Sequence, residues 1–210
     1  HIFPAEARNV TEDFVRAGTR LGLAELIRGG VTTYCDMYYF EDAIAEETAK
    51  AGVRGVLGQS VIDFPAPDYK TPQEALRYAR TFIQKWKGHP LIIPALAPHA
   101  PYTLATEHLK YTRALSDELD VPVVIHVSET KEEVSRILEQ YGARPVNYLN
   151  DLGFFGSKTI AAHVVHVSGE EISLLHRAGT GVAHNPQSNM KLASGVAPVP
   201  EMLAKGIAVG

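Results

Sequence analysis

Short apolar runs alternate with longer segments of helical period along the whole chain, at spacings of about 25 to 35 residues, and this alternation restricts the fold to repeated βα units around a parallel sheet. Strands are expected at residues 31–37, 55–62, 91–97, 121–127, 159–165 and 181–183. Between them, helices are expected at Glu41–Ala51, 72–87, Thr106–Leu119, Lys131–Tyr141, 169–177 and 199–205, with a short helical stretch at 144–149 and a Pro-rich loop at 63–71. An opening helix starts from Thr11, a residue type that caps helices, with Glu12 and Asp13 in its first turn. Its apolar positions Phe14, Ala17, Leu21, Ala24 and Leu26 recur at roughly helical spacing until Gly29-Gly30 stops the pattern. With Ile207-Ala208-Val209 as the start of a further strand, seven strand candidates result, one short of a closed eight-stranded barrel. On that reading the fold class is an incomplete TIM-like (β/α)8 barrel, with residues 1–210 its central part, the first strand missing and the eighth truncated. The runs at 91–97 and 121–127 are apolar on both faces, as buried parallel strands are. A doubly wound open sheet would alternate in the same way, so periodicity leaves both architectures open. No Gly-x-Gly-x-x-Gly turn follows a strand, which weakens a dinucleotide-binding reading.

With 210 residues, 45% of them apolar and 21% charged, the chain can bury a sizeable core. Its net charge of −4 comes from acids and bases mixed along the length. There is no basic stripe for a nucleic-acid backbone, and no run approaches the roughly 20 apolar residues that span a bilayer. A small-molecule substrate is the expected partner, with no nucleic acid, no membrane, and a homo-oligomer left open. Cys35, the one cysteine, lies in an apolar run, is expected to be a buried small hydrophobe, and fits a cytoplasmic location. His1-Ile2-Phe3-Pro4 and the apolar run ending at Gly210 read as cuts through a longer protein.

Chemically capable residues stand at or just past the C-terminal ends of successive strands: Asp36, Asp63, His99, His126 with Glu129, His163 with His166, and His184 with Asn185. In a (β/α) barrel those ends converge on the face where active sites are built. Taken singly, a strand-end histidine is more often hydrogen-bonded core than ligand, but the bland explanation must hold for the whole series at once. His126 follows Val123-Val124-Ile125, so its imidazole can meet a metal ion away from competing water. Glu129 lies three residues on, where a carboxyl beside a metal site can carry protons; the alternative is a surface acid opening the next helix. His163 is favoured for chemistry, while His166 is equally readable as structural. Pro98 and Pro101 bracket His99 and stiffen the loop that aims it, which suits a donor to substrate.

At these residues the chain resembles the amidohydrolase superfamily, within it the branch of methylthioadenosine and adenosylhomocysteine deaminases and related aminohydrolases. The matching strings are Phe3-Pro4-Ala5-Glu6, Gly29-Gly30-Val31-Thr32-Thr33 with Asp36-Met37, Ala97-Pro98-His99-Ala100-Pro101-Tyr102-Thr103, Ile125-His126-Val127-Ser128-Glu129-Thr130, Ala162-His163-Val164-Val165-His166, and His184-Asn185-Pro186-Gln187-Ser188-Asn189-Met190-Lys191-Leu192. The resemblance implies hydrolytic deamination at one divalent metal ion, zinc with ferrous iron as the alternative. It implies His126 as metal ligand, Glu129 as the acid that protonates a purine ring nitrogen, and His163 as the group that polarises the attacking water. His99 is implied to contact substrate, as is Glu129, and Glu6 to accept hydrogen bonds from ribose hydroxyls; unaided, Glu6 is also readable as a solvated acid.

Two parts of the family pattern are expected outside this sequence: a His-x-His pair on the first strand, which His1 alone does not supply, and an Asp on the eighth strand. The chain by itself is therefore expected to bind metal poorly and not to turn over. Gln59 falls near where some nucleoside-acting members carry Arg, which leaves the nucleoside open. The rival readings are an aminohydrolase or chlorohydrolase acting on another ring (guanine, cytosine, triazine) and a metal-free barrel binding protein. A phosphate-binding barrel lyase or isomerase is disfavoured, since neither a late Gly-rich loop nor a strand-end Lys appears.

Overall fold

The structure, a computed structural model, describes residues 2–210, with side chains from residue 4 onward; His1 lies outside the described residues. The chain forms two compact units, His1–Ala97 and Pro98–Gly210.

The first unit runs α1 (Ile2–Asn9), α2 (Glu12–Arg28), β1 (Thr33–Tyr38), α3 (Glu41–Ala51), β2 (Arg54–Val61), α4 (Pro72–Trp86) and β3 (Ile92–Pro98), with strand order β1-β2-β3. β1 and β2 are parallel, from Thr33 opposite Arg54 to Tyr38 opposite Gln59. Local chemistry sets the helix ends. Thr11 and Thr71 cap α2 and α4 by accepting from the backbone N–H of Phe14 and Glu74, and Gly52, at φ 74°, closes α3 in the left-handed conformation that glycine adopts without penalty. α4 buries Ala75, Leu76, Ala79, Phe82, Ile83 and Trp86, a stripe at helical spacing. Gly58 in β2 permits a close approach: a Cβ there would stand 2.7 Å from that of Ala97.

One expectation fails in this unit, and one stripe of regularly spaced apolar residues is not the buried one. α2 buries Val15 and Leu23 and leaves Phe14 and Leu21 exposed, because it packs on α3 through the side that also carries Arg16 and Arg20 to the carboxylates of Glu46 and Glu47. Cys35 is exposed, since β1 has a strand neighbour on one side only among the described residues, and an apolar run at a sheet edge need not be covered.

The second unit runs α5 (Thr106–Leu119), β4 (Val123–Val127), α6 (Lys131–Tyr141), α7 (Pro145–Asp151), β5 (Thr159–His163), α8 (Gly169–Ala178), β6 (Gly181–Ala183), α9 (Pro186–Lys191) and α10 (Val199–Ala204). Its strands pair in parallel, β4 with β5 and β5 with β6. The 207–209 run continues this order as a parallel bridge, Val182 with Val209, and the Val182 N–H donates to the Ala208 carbonyl at 2.9 Å. Leu109, Ile125, Ile137, Leu149, Phe154, Ala161, Leu175 and Met202 make a fully buried core between strands and helices. β5 stops at His163, two residues earlier than its apolar run suggests, because His163 and Val164 turn to positive φ, 74° and 48°. No helix among the described residues is long and apolar enough to cross a membrane.

Candidate active site

In the second unit the ends of β4, β5 and β6 carry the polar residues, and the apolar strand bodies fix where they point. Val123, Val124, Ile125 and Val127 are buried, so β4 delivers His126 from a rigid base. The backbone N–H of His126 donates to the His99 carbonyl at 2.9 Å, which ties the His99 loop to β4. Three imidazoles follow in a row: His99 to His126 and His126 to His163, each with ring centroids 5.0 Å apart.

Burial holds the His99 and His126 rings away from protonation. His99 is pushed down to about 4 by burial and, secondarily, by His163. Burial, then His99 and His163, hold His126 well below the usual imidazole range. Two hydrogen bonds set their tautomers. The Thr103 hydroxyl donates to the Ala100 carbonyl, so at 3.1 Å it accepts from His99 Nδ1. Asn189 Oδ1, 2.8 Å from His163 Nδ1, can only accept, so the neutral His163 ring carries its lone pair on Nε2.

Glu129 reaches the same place from the turn after β4. Its Oε1 stands 3.6 Å from His163 Nδ1 and accepts from Ser194 Oγ at 3.5 Å. The turn itself is held tightly. Ser128, at φ 53°, is in the left-handed region that non-glycine residues avoid. Its N–H and that of Glu129 donate to the two oxygens of Glu133, at 2.7 and 2.8 Å, and its carbonyl accepts from Val165 and His166 at 3.1 and 2.9 Å. Burial pushes the Glu133 carboxyl up to about 7 despite these N–H contacts. His166 turns away, donating through Nε2 to the Ser194 carbonyl at 2.6 Å, while Arg144 holds the His166 carbonyl and pairs with the buried Glu171. His166 is thus engaged in backbone support.

The buried polar atoms of this unit without a hydrogen-bond partner among the described residues include His126 Nδ1, Ser128 Oγ, His184 Nδ1 and Asn189 Nδ2. An unsatisfied buried group of this kind costs about 1–3 kcal/mol; those on His126, Ser128 and His184 stand at or just past strand ends, where a ligand could satisfy them, while Asn189 and the similarly unpaired Glu171 Oε1 lie on helices. For a metal ion, His126 has the right donor chemistry, a neutral imidazole with an orphaned nitrogen. Among the described residues no three His, Cys, Asp or Glu side chains come together as a cage, so His126 would be one ligand of a larger set.

Glu6 belongs to the first unit. It sits on α1, half-buried, and accepts from the Tyr38 hydroxyl at 3.0 Å. Beyond Tyr38, at the end of β1, lies a carboxyl cluster. Glu41 takes the Tyr38 N–H at 2.9 Å and Asp68 takes that of Phe40 at 2.7 Å. Gln59 donates to Asp68 at 2.9 Å, so its amide is committed within the protein. Burial pushes Asp36 up to about 6, and burial followed by the Asp36 charge raises Glu41 well above the usual carboxylate range. The structure thus brings together His99, His126, Glu129 and His163 in one unit and gives Glu6 its own partner in the other. Sequence reasoning missed Glu133, Asn189, Ser194 and Tyr38. Only Asn189 had a signal, as the fourth residue of a helix that Pro186 opens.

The chain is 46% identical over 209 residues to the 5-methylthioadenosine/S-adenosylhomocysteine deaminase of Syntrophobacter fumaroxidans, covering 100% of this chain and 48% of the relative. An adenosine deaminase from Xanthomonas campestris, solved with bound zinc, matches with a TM-score of 0.96 at 38% identity, over 100% of this chain and 48% of that one. A guanine deaminase from C. acetobutylicum with guanine in its active site matches with a TM-score of 0.87 at 27% identity, over 100% of this chain and 52% of that one. The chain therefore spans about half the length of the relatives it matches, and its fold class is α/β, an incomplete barrel of their type, as the resemblance implied. The model of the amidohydrolase family matches residues 1–210, and the chain belongs to that family.

Proposed function

We propose that the whole protein deaminates an adenine-type nucleoside, of the methylthioadenosine or adenosylhomocysteine kind, by hydrolysis with one divalent metal ion. In this reading residues 1–210 are the central part of a single cytoplasmic hydrolase barrel domain. The observation that carries it is the placing of a carboxylate, Glu129, 3.6 Å from a buried imidazole, His163, beside a neutral His126 with an orphaned nitrogen. The names of the similar deaminases, and the zinc in one of them, support the reaction class and the metal.

His126 would hold the metal, zinc by preference and ferrous iron as the alternative. When bound, such an ion would lower the pKa of a water molecule from its bulk value to near neutrality. Glu129 gives a proton to the ring nitrogen next to the amino-bearing carbon as water adds there. It thereby removes negative charge from the ring, the task of a general acid. The proton that the water gives up goes to the amino group, and the C–N bond breaks with loss of ammonia. His163, held through Nδ1 by Asn189, presents Nε2 to orient the attacking water. His99 contacts the substrate from a loop stiffened by two prolines, and Glu6 accepts from ribose hydroxyls, since the Tyr38 contact uses only one of a carboxylate's several acceptor positions.

Glu129→Gln in the whole protein keeps the shape and removes the ionisable proton. Turnover should fall at least about 100-fold with metal content unchanged. Substantial residual deaminase activity would remove Glu129 from the proton-transfer role, and a purified protein with neither bound metal nor metal-stimulated activity would favour a binding protein. The guanine deaminase match supports a second reading, action on a free base. Glu6→Ala separates the two: a KM increase confined to the nucleoside supports the first, and an equal effect on nucleoside and free base supports the second.

A further inference from the structure

The second unit has two helices that begin with a hydroxyl cap and a glutamate three residues on, and the two glutamates behave differently. On α8 the arrangement is an ordinary reciprocal cap: Ser168 Oγ accepts from the Glu171 N–H, and Glu171 accepts from the Ser168 N–H at 2.8 Å. On α6, Thr130 Oγ1 accepts from the Glu133 N–H at 3.1 Å in the same way. Glu133, however, reaches further upstream and spends its two oxygens on the N–H groups of Ser128 and Glu129, outside the helix. It is 3% exposed, so no solvent molecule substitutes readily for either contact.

We propose that Glu133 is a positioning residue for Glu129, clamping the strained turn from which the Glu129 side chain projects. This rests on the reading of Glu129 as the proton donor. Ser128 at φ 53° costs about 1–2 kcal/mol relative to an ordinary backbone conformation, and such a residue persists only where its surroundings over-determine it. Here they do so from both sides. Glu133 holds the Ser128 and Glu129 N–H groups, while the Ser128 carbonyl holds the N–H groups of Val165 and His166 just past β5. The turn after β4 is thus fixed to the turn after β5, and Glu129 and His163 are set against each other by backbone rather than by their own weak contact of 3.6 Å. A glutamine at 133 offers one acceptor in place of two. Its NH2 would face an amide N–H, donor against donor, and one side of the clamp would open.

The test is Glu133→Gln in the metal-loaded whole protein, with kcat, KM, metal content and hydrogen exchange at the Ser128 and Glu129 amides all measured. The expected result is a kcat about 10-fold to 100-fold lower with KM and metal content unchanged, and faster exchange at those two amides. An unchanged kcat would overturn the proposal, and so would a joint collapse of kcat, KM, metal content and melting temperature, which marks a general structural role. If the variant fails to fold, the unmodified protein decides: the Ser128 and Glu129 amides should be as protected as the β4 core, and exchange at loop rates overturns the clamp. If Glu129→Gln retains turnover, the deaminase role of Glu129 fails separately, and amide protection alone then judges whether Glu133 holds the turn.

Discussion

Ser128 burdens the fold twice, with a left-handed backbone and with a buried hydroxyl that finds no partner among the described residues. Ser128→Gly removes both and should raise stability by about 1 kcal/mol, measured as a shift in denaturation midpoint. The same change loosens the turn under Glu129, so kcat should fall while the melting temperature rises. That opposition of signs identifies the strain as serving the site. At this scale the sequence revealed what depended on residue type and strand-end position. His99, His126, Glu129 and His163 all follow apolar runs, and the structure gathers them in one unit. Glu133, Ser194 and Tyr38 were invisible because their significance lies in contacts, and Asn189 showed only its place in a helix that Pro186 opens. A glutamate at the third helix position reads as a cap whether it takes one amide or two, and nothing in Tyr38 announces a hydroxyl 3.0 Å from a carboxylate 32 positions away.

Elements were most legible where capping chemistry frames a long periodic stripe. α3, α5 and α6 have the expected bounds because each is flanked by turn residues or by a residue in the left-handed region, Phe40 and Gly52, Asp120, and Gly142. α1 and α9, with 8 and 6 residues, complete too few turns to establish a period. The end of β5 was hidden for another reason: Val164 and Val165 continue the apolar run, and hydropathy does not report the turn to positive φ. The apolar spacing of α2 does not mark its buried side, because period locates an apolar stripe without saying which neighbour it meets. Sheet packing makes a sharper demand at Gly58, where a Cβ would press within 2.7 Å of Ala97 Cβ. Gly58→Ala should therefore cost about 1–3 kcal/mol in a denaturant titration, since both contacting atoms are anchored to strands.

At the scale of the whole molecule, buried ionisable groups make stability depend on pH. The folded state raises the pKa of Glu41 well above 4.5, chiefly by burial and next by the Asp36 charge. The favourable contribution of the protonated group is fully present below the unfolded value and is lost as pH rises through the raised one. Glutamine mimics the protonated form and keeps an acceptor for the Tyr38 N–H. The melting temperature of Glu41→Gln should exceed that of the unmodified protein by more at pH 8 than at pH 5, and a constant difference would contradict the assignment. α2 and β1 have a further consequence, in how the 210-residue chain behaves in solution. Phe14, Leu21 and Ile27 are each at least half exposed, Val31 is more than a third exposed, and β1 has one strand partner among the described residues. Open sheet edges flanked by apolar side chains invite strand-to-strand association. The chain handled alone should therefore associate as its concentration rises, as light scattering across a dilution series would read, and dilute conditions are the ones under which its folding should be studied.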